Sequence, residues 1–332
     1  MRRVADAIRP KPFRGDVVAA GVVVLATLVL LTETRFDTAW ADGVHLAIAA
    51  ASAALVTAMA VLAEPERPSP RPYQSVLYVA SLGLALTALA DLARVLGGEP
   101  WSAGTLTWVS AALACLAGWY ATARGSAVAT LIAAAAIGLA ALAFVEWSFD
   151  PSSTAPFRWL LLVLMGVFAL AALSQRDRRR RHAVALTDAA GLAALALALT
   201  FLAETALGGI SGAVFSSDSG SVTALGSVDV ARPGWGWGLL LFAVAFGLIA
   251  YAAVDREPGP GYLGVATLLA TIAVVAPGGT SFLGWPLVLA LGAGVLLAVG
   301  LRPTTPLPPE PESASAEPID FTHHQHAPED PT

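Results

Sequence analysis

The sequence predicts an all-α fold: a polytopic transmembrane helix bundle of about ten spans, with the N-terminus and the C-terminus in the cytoplasm. Three observations predict it. The composition is 56% hydrophobic and only 13% charged, about half of the charged fraction of an ordinary soluble domain. The apolar residues form long blocks, each near the ~20 residues that a helix needs to cross a bilayer. The basic residues are concentrated in every second loop between these blocks.

The predicted transmembrane domain covers residues 16–301, between a basic N-terminus at 1–15 and a tail at 302–332. The small-x-small sequence at 39–41 has the form of a signal-peptide cleavage site, but it lies well beyond the first apolar run. We therefore expect an uncleaved first span. The predicted spans are about 16–32, 43–63, 74–96, 103–123, 126–146, 157–174, 183–203, 236–254, 262–276 and 281–300.

The loop at 175–182, read as QRDRRRRH, sets the predicted orientation because it carries five of the nineteen Lys and Arg residues. Such loops stay on the cytoplasmic side. Fifteen Lys and Arg residues then fall inside, and all five tyrosines lie toward the inner interface while eight of nine tryptophans lie toward the outer one. Amphipathic rings belong at these interfaces. The four basic residues left outside are Arg35, Arg94, Arg158 and Arg232.

Two segments have the composition of loops. The outer loop at about 204–234 is rich in Gly and Ser between residues 208 and 226, which predicts a flexible stretch with room for a short interfacial helix. The tail at 302–332 has eight prolines and six acidic residues. A segment of that composition cannot bury a core, so we expect it to be disordered.

Composition and charge exclude several function classes. The net charge of −5 argues against nucleic acid as a partner, and the lipid bilayer is the partner that the apolar blocks predict. Cys115 is the only cysteine, so no internal disulfide or CxxC metal pair can form. The single lysine against eighteen arginines is typical of a high-GC bacterial genome and places the protein in a bacterial plasma (inner) membrane. No cofactor is predicted. The tail histidines His323, His324 and His326 are better explained as part of a disordered segment than as a metal site.

Six polar residues within the spans are candidate site residues. Asp91 and Arg94 are three residues apart near the outer end of the third span, where they can pair on one helix face. Asp188 lies about one turn inside the seventh span. Both aspartates are within roughly 5–8 Å of a span end. Asp188 is interpreted as a charge near the N-terminus of its own helix, which suits the helix dipole. The mid-membrane candidates are Ser52, Ser81 and Thr267.

The sequence from Gly209 to Phe215, GISGAVF, resembles the serine motif of rhomboid intramembrane proteases. That resemblance implies a nucleophilic Ser211, whose chemistry needs a histidine on a neighbouring helix to take its proton. His45 and His182 are assigned to opposite faces of the membrane, so neither is placed to serve it. We therefore predict no enzyme activity. A membrane enzyme would instead need outer carboxylates to converge, namely Asp91, Glu99, Glu146 and Glu204.

Two broader resemblances concern the layout of the spans. The 5 + 5 arrangement with both termini inside resembles, in topology alone, the drug/metabolite transporter superfamily, and implies an inverted repeat. The stretch from Tyr251 to Gly264, with the Trp- and Gly-rich residues 233–238 before it, resembles the C-terminal part of uncharacterised multi-pass bacterial membrane proteins. By its residues, 255–261 predicts a tight inner turn that prolines and glycines reverse.

These observations favour a non-enzymatic structural or interaction protein of the plasma membrane, because polar groups are scarce in mid-membrane. Such a protein would be a dry bundle that binds partners through the outer loop. The alternative is a ten-span transporter of a small, hydrophobic solute, which predicts inverted repeats and a cavity near Ser52, Ser81 and Thr267. The protein partner, the solute and the oligomeric state are left open by the sequence.

Overall fold

The computed structural model describes residues 10, 14–36, 39–63, 71–215 and 234–275, with only the backbone described for 205–215. The predicted tenth span, the tail, and most of the basic N-terminus and of the outer loop lie outside these residues. The described part is a chain of nine helices, each long and apolar enough to cross a membrane. They are α1 Gly15–Arg35, α2 Asp42–Leu62, α3 Pro72–Val95, α4 Ala103–Arg124, α5 Ala127–Phe149, α6 Ala155–Gln175, α7 Arg180–Phe215, α8 Trp235–Asp255 and α9 Pro258–Val275.

The all-helical class and the multi-pass membrane character are confirmed by this part of the chain, and such helices associate with a lipid bilayer. Two boundaries differ from the prediction. Helix α7 continues through Phe215, across residues that we expected to be a flexible loop from 208 onward. Helix α9 begins at Pro258, four residues before the predicted start. Proline suits a first helical position, because its missing N–H would have no partner there and its φ is already helical.

The turn before α9 is correspondingly short, since only Arg256 and Glu257 separate α8 from α9. Arg256 closes α8 in the left-handed region at a φ of 58°. Another tight turn joins α4 to α5, where Gly125 adopts a φ of 71°. Ser126 then caps α5 by accepting a hydrogen bond from the backbone N–H of Ala129. Such short turns force neighbouring helices to run antiparallel.

The helices form a two-layer array of hairpins. The closest packing is within the pairs α2–α3, α4–α5, α6–α7 and α8–α9. The odd-numbered helices also pack in a row, α1 on α3, α3 on α5, α5 on α7 and α7 on α9. Each even-numbered helix therefore lies against two consecutive members of that row. The packing repeats every two helices.

Three close approaches show that the odd-numbered helices run parallel. The Tyr73 ring on α3 covers Gly15 on α1, at the first turn of both helices. Thr130 on α5 contacts His182 on α7 at 2.6 Å, again near both N-termini. A Cβ on Gly191 of α7 would lie 3.1 Å from Leu263 of α9. All odd-numbered helices thus begin at the same end of the array. We call this end the basic end, because it includes the arginine-rich α6–α7 loop at 176–179, and we call the opposite end the distal end.

A two-helix repeat differs from the five-helix repeat that a 5 + 5 transporter implies. Under a five-helix repeat, the tight pair α2–α3 would correspond to α7–α8. Instead α7 and α8 form one of the looser pairs of the described helices. The predicted tenth span lies outside the described residues, so the five-helix inverted repeat stays a prediction.

Small residues build much of the core. Ala49, Ala117 and Ala194 are fully buried, which lets helix backbones approach closely. Tyrosines were expected at the inner interface, but Tyr73, Tyr78 and Tyr120 lie inside the protein with 0–2% exposure. Tryptophans remain on the outside: Trp40, Trp101, Trp108, Trp119, Trp147, Trp159 and Trp235 are all exposed. Three of the five tyrosines are therefore core residues, whereas Tyr251 is half-buried and Tyr262 is 75% exposed.

Candidate functional site

Four ionisable side chains from three helices meet at the distal end, and we call Glu33, His45, Asp91 and Arg94 the distal cluster. Glu33 lies at the end of α1, His45 in the first turn of α2 and the other two in the last turns of α3. Arg94 Nη1 is 3.2 Å from Asp91 Oδ1 and 3.3 Å from Glu33 Oε2. His45 Nδ1 is 3.0 Å from Glu33 Oε1.

The distal cluster is well shielded from solvent and lipid. Asp91 is 1% exposed and His45 2%. The ring of Trp40 packs against His45 at 5.8 Å between centroids. Buried charges persist only when they are paired. Arg94, whose side chain is 33% exposed, offsets one of the two negative charges that it bridges. Asp91 Oδ2 is buried without a hydrogen-bond partner among the described residues.

The hydrogen bonds of His45 constrain its protons. Its Nε2 lies 3.3 Å from the carbonyl oxygen of Phe36, which can only accept, so this nitrogen carries a proton. The contact between Nδ1 and Glu33 needs one further proton, on the ring or on the carboxyl group. The distal cluster therefore holds a shared proton, but it lies at one end of the array and no described residue extends it toward mid-membrane.

The predicted pair of Asp91 with Arg94 is present, and Asp91 and Glu204 have different partners. Asp91 meets Glu33 and His45, while Glu204 on α7 forms an ion pair with Arg158 on α6 and accepts from Thr154. The guanidinium of Arg158 also lies 3.8 Å from the centroid of the Phe201 ring, a cation–π contact. The distal end thus carries separate ion pairs, each joining neighbouring helices.

Sequence reasoning missed Glu33 and His45. The sequence did contain a signal. Glu33 and His45 lie on either side of the short connection between the first two predicted spans, at the same predicted end of the membrane as Asp91. Which helices are neighbours could not be read from the sequence, so the partner of Asp91 and Arg94 on α1 was not identified.

The mid-membrane candidates separate into two groups. Ser81 on α3 joins Thr57 on α2 to Tyr120 on α4, with both oxygen–oxygen distances 2.8 Å. Ser52 is buried on α2. Thr267 is buried on α9, which packs against α7 and α8. The structure therefore does not bring Ser52, Ser81 and Thr267 to one cavity.

Asp188 lies near a helix N-terminus, but not that of its own helix. Helix α7 begins at Arg180, so Asp188 is two turns inside it, beyond the reach of that terminus. Its carboxylate instead faces the first turn of α9. A Cβ on Gly259 would lie 2.8 Å from both carboxylate oxygens, so only glycine permits this approach. The contact fixes α9 against α7 at the basic end.

A cavity of about 350 Å³ lies between α6, α7 and α8, and we call it the α6–α8 groove. Its mouth at the basic end has Arg176, Thr187 and Tyr251. Gly166 and Gly247, on opposite walls, face open space, because a Cβ at either position would meet no atom within 4 Å. The small residues whose size leaves this volume are Gly166, Ala169, Ala172, Ala183, Ala190 and Gly247.

The described residues offer no group of three His, Cys, Asp or Glu side chains that could hold a metal ion. Comparison with known proteins finds no matching family model, curated protein or solved structure. What this chain can do must therefore be inferred from its own geometry. It has ion pairs at the distal end, a hydrogen-bonded network of hydroxyl groups across α2, α3 and α4, and an open groove between α6, α7 and α8.

Proposed function

We propose that the protein is a non-enzymatic interaction scaffold of the bacterial plasma membrane, with its basic end in the cytoplasm. The observation that carries this is the two-helix repeat, in which each hairpin of the described residues packs on its neighbours in the row. Arrays of this kind present extended lateral surfaces and commonly serve binding. The outer loop at 204–234 and the tail at 302–332 are the segments that we expect to contact partners.

The distribution of charge supports the proposed orientation. At the basic end, the loop at 176–181 has five arginines, of which Arg178, Arg179 and Arg180 are exposed. At the distal end, Arg94 and Arg158 are held in ion pairs with carboxylates. Exposed positive charge therefore predominates at the basic end, as expected of the cytoplasmic side.

The pairing of Ser81 supports a scaffold over a conduit, because Ser81 is fully buried and bonded on both sides. Thr271 donates to the backbone carbonyl of Thr267 at 2.7 Å, whereas Thr267 Oγ1 is buried without a hydrogen-bond partner among the described residues. A solute pathway would need such groups free to replace water around the solute.

Cysteine accessibility tests both the dryness of the array and its orientation. In a Cys115→Ala background, the Ser81→Cys and Thr267→Cys variants should resist a membrane-impermeant maleimide applied from either side of intact or inverted vesicles. Two exposed positions serve as controls: Ser148→Cys at the distal end should react only from outside, and Ser174→Cys at the basic end only from inside. Reaction at Ser81→Cys or Thr267→Cys would contradict the scaffold, and reversed control labelling would contradict the orientation.

The second candidate function is transport of a small hydrophobic solute, and the α6–α8 groove is the observation that favours it. A carrier of this kind would expose Thr267 or Ser81 to water in at least one of its states. Labelling at these positions that a hydrophobic solute suppresses would establish transport as the better account.

A further inference from the structure

The α6–α8 groove has the depth of one leaflet of a bilayer. Arg176 at its mouth, directly after α6, and Met165 at its inner limit are eleven positions apart, which corresponds to ~16 Å along a helix. Half of a hydrocarbon core of ~30 Å is about the same length. The groove thus runs from the basic end to the middle of the membrane.

The interior of the groove is apolar. Its lining is dominated by Ala, Gly, Leu, Met and Val, and its polar members lie toward the basic end. At that depth the surrounding solvent is hydrocarbon, since no water is present to fill an apolar groove. An acyl chain lying along α7 is the occupant that matches this lining.

The mouth of the groove is cationic. Arg176 is 55% exposed, and its Nη2 lies 3.6 Å from Asp255 Oδ1. The segments at 176–181 and 251–257 hold six arginines against three carboxylates. Guanidinium groups bind phosphate with paired, charge-assisted hydrogen bonds. Basic pockets between transmembrane helices at the cytoplasmic side are suited to anionic lipid head groups.

We propose that the α6–α8 groove binds one anionic phospholipid of the leaflet at the basic end, with its phosphate at Arg176 and an acyl chain between Gly166 and Gly247. This site does not depend on whether the protein is a scaffold or a transporter, because both leave the groove open to the leaflet. The lipid would fill the volume that α6 and α8 leave above α7.

The test measures lipid affinity of the full-length protein in detergent by native mass spectrometry. Phosphatidylglycerol and phosphatidylcholine with identical acyl chains are the two probes. One guanidinium at the surface contributes ~1 kcal/mol to attraction of an anionic lipid, so the wild type should bind phosphatidylglycerol about fivefold more tightly. Arg176→Gln should remove most of this preference without lowering the affinity for phosphatidylcholine. Arg71→Gln, an equal change of charge at the basic end of α3, should retain it.

The Gly247→Leu variant tests the position of the acyl chain, because Gly247 lines the groove and a Cβ there meets no atom within 4 Å. It should weaken binding of both lipids at least fivefold, and Gly166→Leu on the opposite wall should do the same. Gly83→Leu adds the same side chain on an exposed face of α3 and should leave both affinities unchanged. Circular dichroism and gel filtration identify folded variants, and either groove variant is sufficient. Equal wild-type affinity for the two lipids, or unchanged binding in the folded groove variants, would overturn the proposal.

Discussion

The three-helix units α2–α3–α4 and α6–α7–α8 occupy equivalent places in the repeat, yet one is sealed and the other open. In the first, Tyr120 is fully buried and contacts Tyr78 at 5.0 Å between ring centroids. In the second, Tyr251 is only half-buried at the mouth of the α6–α8 groove. Both Tyr120 and Tyr251 lie four residues before the end of their helices, so the backbone positions match.

The difference arises from side-chain volume. Both tyrosines have polar partners, because Tyr120 bonds Ser81, which also bonds Thr57, and Tyr251 bonds Thr187 and Asp255. The second unit has alanine and glycine along the facing surfaces of its helices. A repeated backbone arrangement can therefore carry a packed core in one place and a binding groove in another.

The largest effect is expected from opening the sealed unit. Tyr120→Ala removes a fully buried ring and its hydrogen bond, and should lower the free energy of unfolding by about 3–5 kcal/mol. Tyr262→Ala, at a position 75% exposed, is the matched control and should have little effect. Unfolding by SDS titration in mixed micelles measures both. Equal stability of the two variants would show that Tyr120 does not seal the first unit.

Removing the charge of Arg94 from the distal cluster should have the next largest effect on the free energy of unfolding. Arg94→Met keeps most of the side-chain volume but leaves Asp91 and Glu33 buried together without their cation, which should cost about 3 kcal/mol. Arg71→Met, at an exposed arginine, controls for the loss of a positive charge. The same SDS titration measures both variants. A smaller loss of stability in Arg94→Met than in Arg71→Met would mean that Arg94 does not stabilise the distal cluster.

The close packing of α9 on α8 depends on Gly264. A Cβ on Gly264 would lie 2.8 Å from the backbone oxygen of Ala245, so Gly264→Ala should push α9 from α8 and cost about 2 kcal/mol. Gly83→Ala meets no atom within 4 Å and should be neutral or slightly stabilising, because alanine favours helix over glycine. A neutral Gly264→Ala would contradict the close packing of α8 on α9.

The smallest effect is expected when a single hydrogen bond, that between Tyr120 and Ser81, is removed. Tyr120→Phe removes only the hydroxyl that bonds Ser81, and interhelical hydrogen bonds in membranes contribute about 0.6 kcal/mol on average. A Tyr120→Phe, Ser81→Ala double-mutant cycle should give a coupling energy of that size. Pairing Tyr251→Phe with Ser81→Ala should give none, because Tyr251 lies in the other unit.

Local properties were predictable from the sequence, and neighbour relations were not. Hydropathy predicted the positions of the described helices, and the spacing of Asp91 and Arg94 predicted their pair. The proline-rich turn at 255–261 was misjudged because Pro258 fits the first position of a helix as well as it fits a turn. The order in which helices pack is a long-range property. Without it, neither the meeting of Glu33 with Arg94 nor the two-helix repeat could be deduced.

The groove escaped prediction for a related reason. It is formed by what Gly166 and Gly247 lack, and glycine and alanine are so common in these spans that no single one indicates a cavity. Tyr120 was assigned to the interface because amphipathic rings belong there. Its burial became intelligible only with Ser81 and Thr57 placed beside it.

The contrast between the sealed and the open unit is tested most directly by electron cryomicroscopy of the protein in nanodiscs that contain phosphatidylglycerol. We expect lipid-shaped density between α6 and α8 from Arg176 to Met165, and none between α2 and α4, where Tyr120 fills the space. Helices α6 and α8 closed together above α7 without density, or equal lipid density in both units, would contradict this account.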